Sequence, residues 1–359
     1  MLKTMPRLEI NTEKIEQNAR SVIDRIHNAG GEAACVTKVT CAHPAAARAL
    51  VSAGADMLAD SRISNLKNLS DYGIQIPLLL LRIPSPSQSF DVVRSADYSL
   101  NSSPFTVRKL ADAALALNLT HKVIIMVDIG DLREGVWPDR VNDVVRGIAQ
   151  LNGVEVVGLG CNLACYGGVI PNRLNMLELV EIRNECRRVT GLELPILSGA
   201  NSAGLPVLYR NEMPKEVNHY RIGETILLGR NVIDRSPWEG LHQDVFQLVV
   251  EVIEVESKPS LPIGERGQDA FGGYTEFTDR GIRRRAICAI GRQDVVVDGI
   301  EPLDPGILVL GGSSDHLILD VEEAREPVKV GDEIRFYPNY GALLAAFTSG
   351  YVHKMVVEN

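Results

Sequence analysis

Short apolar, β-branched runs recur along the first two thirds of the chain, at Ala34–Thr37, Asp56–Ala59, Leu78–Leu81, Tyr98–Leu100, Lys122–Asp128, Val154–Gly160, Pro195–Ser198 and Tyr220–Ile222. Amphipathic stretches separate them, with helical spacing clearest over Thr12–Asn28, Pro104–Leu117 and Asn172–Val189, where apolar residues return every three or four positions. This alternation is the rhythm of a (β/α)8 barrel. Past Pro237 the texture changes. Val245–Val255, Ile282–Ile290, Ile307–Leu310, Leu317–Val321 and Glu333–Tyr337 read as strands between Gly, Pro and Asp turns, with almost no helical period. The expected α/β fold is therefore a TIM-type (β/α)8 barrel over residues 11–237, followed by a mostly β C-terminal domain over 238–359. Residues 1–10 add a strand to that domain at Arg7–Ile10.

A chain of 359 residues accommodates both domains, each with its own core. Acidic residues outnumber basic ones 46 to 37, for a net charge of −9, and no Lys/Arg stripe carries interleaved aromatics, so nucleic acid is not an expected partner. The N-terminus lacks the apolar core of a secretory signal, and the longest apolar runs, such as Leu78 to Leu81, are far too short to span a bilayer. A soluble, cytoplasmic protein with no membrane partner is expected. The six cysteines (35, 41, 161, 165, 186 and 288) form no C-x-x-C pair, which suggests neither a disulfide framework nor a four-thiolate zinc site, and no metal is expected.

Chemistry in such a barrel sits at the carboxyl ends of the strands. The first strand ends on Lys38, an expensive place for a buried cation. A lysine there either snorkels to solvent or is used covalently, as in a Schiff base to a carbonyl cofactor such as pyridoxal phosphate. Strand five leads into Asp128-Ile-Gly130-Asp-Leu-Arg133-Glu-Gly135, strand six into Asn162, strand seven into Asn201-Ser202, and strand eight into Arg221-Ile-Gly223-Glu224. Asn201-Ser202 ahead of an apolar stretch suits a helix N-terminus, either as an ordinary cap or as a phosphate cradle. Gly158-x-Gly160 is followed by Leu163 where a dinucleotide fingerprint needs glycine, so that motif fails.

Lys38, the D-x-G-x-x-R-x-G of Asp128–Gly135, the Asn201-Ser202 pair and Arg221-x-Gly223 occur in the order and spacing of the alanine racemase family, which the chain resembles over nearly its whole length. Val36-Thr-Lys-Val-Thr40, Ala59-Asp-Ser-Arg62, Leu79–Pro84, Val127–Gly135, Ala289–Asp294, Ser313–Asp320 and Tyr340-Gly-Ala-Leu-Leu344 resemble its ornithine racemase branch. The resemblance implies a pyridoxal-phosphate-dependent racemase that interconverts L- and D-amino acids with two bases. Ornithine is the expected substrate, with lysine or arginine as alternatives. Lys38 would hold the cofactor and act as one base. Arg221 would face the pyridine nitrogen. Asn201, Ser202, the backbone at Gly223 and Glu224, and Tyr340 would hold the phosphate. Arg133 would meet the cofactor oxygen and the substrate carboxylate, and the segment Gly312-Ser-Ser314-Asp315 would meet that carboxylate through backbone N–H, although Asp315 also suits a simple turn. Tyr274, in Phe271-Gly-Gly-Tyr274, would be the second base, supplied by the β domain of a partner subunit, or else a tyrosine packed at a glycine turn. A homodimer with shared active sites follows from the first reading.

The chain also departs from the family pattern. The family's phosphate-contacting tyrosine after the lysine is replaced by Thr40-Cys41-Ala42-His43-Pro44, where His43 is a substitute or merely solvated. The family's carbamylatable lysine is unmatched near Met126, leaving Arg133 to be oriented by another group, with Asp128 and Asp315 as candidates; Asn162 stands where many relatives carry histidine. Selecting ornithine over alanine needs an acceptor for the distal ammonium, for which Glu265, Asp269, Asp294 and Glu134 are candidates. A non-catalytic pyridoxal-phosphate-binding protein of this barrel type would lack the β domain. The related decarboxylases carry a glycine-rich phosphate segment and a late Cys-Asp pair, and the zinc-dependent aldolases a late His and Cys-Asp set; neither pattern is present, the last cysteine being Cys288.

Overall fold

Apart from β1 (Arg7–Asn11), the strands of the first two thirds of the chain run parallel: β2 (Glu32–Val36), β3 (Met57–Asp60), β4 (Leu78–Leu80), β5 (Tyr98–Asn101), β6 (His121–Met126), β7 (Val154–Gly160), β8 (Ile196–Ser198), β9 (Ala200–Asn201) and β10 (His219–Ile222). This is seen in a computed structural model that describes residues 4–357. The sheet order is β8-β7-β6-β5-β4-β3-β2-β10-β9. Because β8 and β9 are two pieces of one segment bent at Gly199, with β8 pairing to β7 and β9 to β10, the sheet closes as eight staves. This is the (β/α)8 barrel. Period-two alternation aims Ala34 and Val36, Met57 and Ala59, and Ile124 and Met126 into one buried cluster that fills it.

Helices cover the outside. Thr12–Asn28 buries Ile15, Ala19, Val22, Ile23 and Ile26, the three-and-four spacing read from the sequence. Each fully buried Ile or Val of this stripe contributes roughly 1.5–3 kcal/mol, so an Ile23→Asp change, which also buries a carboxylate, should destabilise the packing of the helix by more than that. The helix Arg173–Thr190 starts on a reciprocal capping box between Asn172 and Asn175 and stops at Gly191, whose φ of 74° ends it in the left-handed region. No helix among the described residues is long and apolar enough to cross a membrane.

This barrel, Thr12–Gln243, is one compact unit, and the second joins β1 to the chain from Asp244 onward. There β11 (Phe246–Pro259), β12 (Ile282–Cys288), β13 (Ile300–Pro302), β14 (Leu308–Gly312), β15 (Leu317–Asp320) and β16 (Glu333–Pro338) form an antiparallel sheet in the order β13-β16-β11-β12-β15-β14. The first half of β11 pairs with β1 and β16 and the second half with β12, with a register shift between Val252 and Glu254. A last strand, β17 (His353–Val357), lies parallel to β1. Arg7 of β1 is fully buried and meets Glu9 at 2.8 Å and Glu333 at 2.7 Å, so this interior cation is compensated. The unit also contains the helix Tyr340–Thr348, which the sequence pattern did not predict: Ala342, Leu343, Ala346 and Phe347 are buried, but the segment is apolar all round and has no polar face to mark its period.

Candidate active site

Strand β2 ends at Val36, and the buried Thr37 that follows is pinned to β3: its N–H donates to Ala59 O at 2.9 Å and its hydroxyl to Asp60 Oδ2 at 2.8 Å. Asp60 is itself fully buried, and burial pushes its carboxyl up despite the donors from Arg62 N–H and Thr37. Lys38 then opens a single 3-10 turn, Lys38–Thr40. The lysine is exposed in this chain, which corrects the expectation of a buried strand tip: the strand stops two residues earlier. The turn is followed by two non-glycine residues in the left-handed region, Cys41 at φ 48° and Ala42 at φ 55°. Each costs roughly 1–2 kcal/mol, strain of the kind that gathers at functional sites. His43 stands at the N-cap position of the helix Pro44–Ser52.

Parallel pairing of β10 with β2 sets Ile222 beside Cys35, and places Gly223 so close to Val36 that a Cβ there would come within 2.9 Å of the valine Cβ. Glu224 follows on the neighbouring stave. Burial pushes its carboxyl up, while the charges of Arg235 and Lys38 oppose the shift, so Lys38 and Glu224 lie within electrostatic reach. Glu224 is also hydrogen-bonded by Arg235 Nη1.

Ser202, buried just past β9, has an Oγ that accepts from Gly223 N–H at 3.2 Å and Thr225 N–H at 3.4 Å. Asn201 caps the same turn, accepting from Ala203 N–H at 2.8 Å and donating to Leu163 O at 2.7 Å. A hydroxyl oxygen and two amides thus converge at Ser202, the amides lying on either side of Glu224 in the chain. Beside them the buried Asn162 Nδ2 has no hydrogen-bond partner among the described residues.

Arg221 is buried in the barrel. It donates from Nη1 to Ser198 O at 2.7 Å and to Ser198 Oγ, and from Nη2 to Cys161 O at 2.6 Å. Burial pushes the guanidinium below its ordinary value, an effect that nearby Arg133 deepens and Glu134 offsets. Ser198 Oγ also meets His219 Nδ1 at 2.7 Å. Burial and the Arg221 charge push His219 down to about 3, so its ring is neutral and its Nδ1 accepts the serine proton.

The loop after β6 is shaped by Gly135, at φ 146°, where a Cβ would come within 2.3 Å of Asp128 N. Asp128 Oδ1 accepts from the amides of Gly130 and Leu132, and among the described residues no hydrogen bond joins it to Arg133. Instead both guanidinium nitrogens Nε and Nη2 donate to Glu134, while Nη1 lies 2.7 Å from Cys165 Sγ. Buried Asp131 accepts from the amides of Cys165, Tyr166 and Val169 and so fixes the neighbouring loop. Sequence reasoning missed Asp131, Cys165 and the Glu134 pairing.

Tyr274, Ser314, Asp315 and Tyr340 belong to the β unit. Tyr274 is 72 % exposed, in the segment between β11 and β12 that Asp269 organises by accepting from Phe271 and Gly273 N–H, both at 2.9 Å. Asp315 pairs with His316 Nδ1 at 2.9 Å, and that contact, with Ser314 Oγ, holds its carboxyl below the usual range. Arg292 N–H and Gln293 N–H donate to Ser313 O and Ser314 O, so the 289–294 and 313–315 segments are one structure. Tyr340 begins the helix Tyr340–Thr348. Of the carboxylates considered for a distal ammonium, Glu134 has both oxygens taken by Arg133, and Asp294 is buried against Ser349 Oγ at 2.7 Å.

The barrel group fits pyridoxal phosphate. Ser202 Oγ accepts from the Gly223 and Thr225 amides and keeps its own proton to donate to a phosphate ester, the orphaned Asn162 donor suits a ligand acceptor, and Arg221 supplies a buried fixed cation.

The family model described as "Alanine racemase, N-terminal domain" matches residues 10–231. The chain is 43 % identical over 350 residues to a lysine racemase of Thermotoga maritima, covering 98 % of each chain. It is also 43 % identical over 350 residues to an ornithine racemase of Acetoanaerobium sticklandii, covering 97 % of this chain and 99 % of the relative. Among solved structures, an alanine racemase from a D-cycloserine-producing Streptomyces lavendulae superimposes with a TM-score of 0.75 at 19 % identity, over 100 % of this chain and 98 % of that one. A D-threonine aldolase from Filomicrobium marinum matches with a TM-score of 0.70 at 16 % identity over 96 % and 89 %, so this likeness speaks to fold alone.

Proposed function

The chain belongs to the alanine racemase family and is an amino-acid racemase, and on that premise we propose that it depends on pyridoxal phosphate and acts on a basic amino acid, ornithine in the first place and lysine as the alternative. The observation that carries the substrate class is that the two full-length relatives named above are racemases of ornithine and of lysine, both diamino acids. When bound, pyridoxal phosphate supplies the electron sink that acidifies the α C–H of an amino acid.

The protein supplies the rest. Ser202, Asn201, the backbone at Gly223 and Glu224, and Tyr340 hold the phosphate. Arg221, fixed by Ser198 and Cys161, places a permanent cation where it discourages protonation of the ring nitrogen, which limits charge spread and favours simple proton return. Arg133 binds the substrate carboxylate, aided by the segment at Ser314 and Asp315. Lys38 anchors the cofactor and exchanges the α-proton on one face. A base on the opposite face is required, because one base returns the proton only to the side it left. We assign that base to Tyr274, delivered from the β unit of a partner in a cytoplasmic homodimer with shared sites.

The test is a panel of single enantiomers of ornithine, lysine, arginine and alanine, incubated with the protein and pyridoxal phosphate and read by chiral chromatography. Racemisation of ornithine or lysine well ahead of alanine is expected. Alanine as the preferred substrate would overturn the assignment.

A further inference from the structure

Arg133 and Glu134 are sequence neighbours, and neighbours on regular backbone point apart. Here they grip each other side-on, Nε and Nη2 of the arginine against the two carboxylate oxygens. The bend that allows it is built in: Leu132 at φ 56° and Gly135 at φ 146° bracket the pair in the left-handed region. The loop is held from both sides. Asp128 takes the amides of Gly130 and Leu132, and buried Asp131 takes three amides of the loop that carries Cys165, which brings the thiol to 2.7 Å from Nη1. These contacts use three of the five N–H groups of a guanidinium and leave two for an anion.

The second consideration is charge. Arg221, buried in the barrel and hydrogen-bonded to neutral oxygens of Ser198 and Cys161, feels the charges of both Arg133 and Glu134. A second cation near a buried one is costly unless compensated, and Glu134 compensates it.

We propose that Glu134 is the positioning residue of the site: it locks Arg133 so that its remaining N–H groups receive the carboxylate of the substrate. On this assignment Glu134 serves Arg133 rather than the distal ammonium. This rests on the reading of Arg133 as the carboxylate-binding residue.

The variants are Glu134→Gln, Glu134→Asp, Arg133→Gln and the double change, each as holoenzyme and as cofactor-free protein. The first readout is the dissociation constant of propionate, a carboxylate with no amine, followed by visible absorbance of the holoenzyme. The second is the rate at which phenylglyoxal labels Arg133 in the cofactor-free protein, followed by peptide mass. Glu134→Gln should weaken propionate about tenfold, the weight of a charge-assisted contact, with Arg133→Gln as severe and the double change no worse. Glu134→Asp should recover part of the loss, and labelling of Arg133 should accelerate several-fold in Glu134→Gln.

Unchanged labelling overturns the pairing whatever the enzyme does. Propionate affinity within twofold of wild type, or loss of preference for ornithine over the uncharged norvaline with propionate binding intact, overturns the positioning role and returns Glu134 to the ammonium. Failure of the wild-type protein to racemise any amino acid would instead strike the function proposed above, and the labelling rates would still decide the pairing.

Discussion

Arg221 Nη1 donates to Ser198 O at 2.7 Å and also to Ser198 Oγ, which spends its own proton on His219 Nδ1 at 2.7 Å. The arginine is thus fixed through a chain that ends on a neutral imidazole, and a lysine at its position could not span both Ser198 and Cys161. Arg221→Lys should fold and load cofactor, yet lose racemisation by on the order of 10–100-fold, the weight of one or two charge-assisted contacts. A keto-acid product should appear in the same variant, measured by reduction with a coupled dehydrogenase. A loss under threefold with no keto acid would remove Arg221 from the cofactor ring.

Tyr274 and Lys38 are assigned to opposite faces of one carbon. Tyr274→Phe should leave the visible spectrum nearly intact and cut racemisation by about 10²–10⁴-fold, the usual contribution of a positioned base. In deuterated water that variant should still exchange the α-proton of one enantiomer, through Lys38, while the other exchanges far more slowly. Mixed Lys38→Ala and Tyr274→Phe subunits should regain activity, because one site of the heterodimer holds both wild-type residues. Equal exchange of both enantiomers, or an active monomer by light scattering, would be incompatible with this arrangement.

The same imidazole chain predicts how stability varies with pH. Burial pushes His219 from 6.5 to about 3 and His121 from 6.5 to about 4. Both rings stay neutral in the folded protein while the unfolded chain takes up protons below about 6.5. The unfolded state therefore binds more protons between the two values, and stability is complete above 6.5 and falls as the pH drops through that window. Urea unfolding should show a loss between 6.5 and about 5, above the range where ordinary carboxylates titrate. His219→Gln should shallow the slope. A flat profile over that interval would mean the rings are not held neutral.

Much of this architecture is legible in the sequence. The alternating runs place eight staves, and Lys38, Asn201, Ser202 and Arg221 fall at their ends because a parallel barrel has one chemically useful rim. What was hidden depended on tertiary contact. The exposure of Lys38 follows from Thr37 being drawn onto Asp60, a pairing between strands that no local pattern marks. The Arg133–Glu134 grip defies the usual divergence of neighbours and needs Leu132 in a left-handed conformation, which leucine composition does not advertise. One stave is two short strands bent at Gly199. The helix Tyr340–Thr348 escaped notice for want of a polar face, and its neighbour Asn339 caps it through Ala342 N–H at 2.9 Å.

Lys38 is the residue assigned to carry the cofactor. Reduction of the pyridoxal-phosphate-loaded protein with borohydride, followed by digestion and mass spectrometry, tests it in one step. Loss of the visible absorbance is expected, with a phosphopyridoxyl mass on the peptide containing Lys38 that is absent from Lys38→Ala. A label on another lysine, or no label on a folded protein, would contradict it.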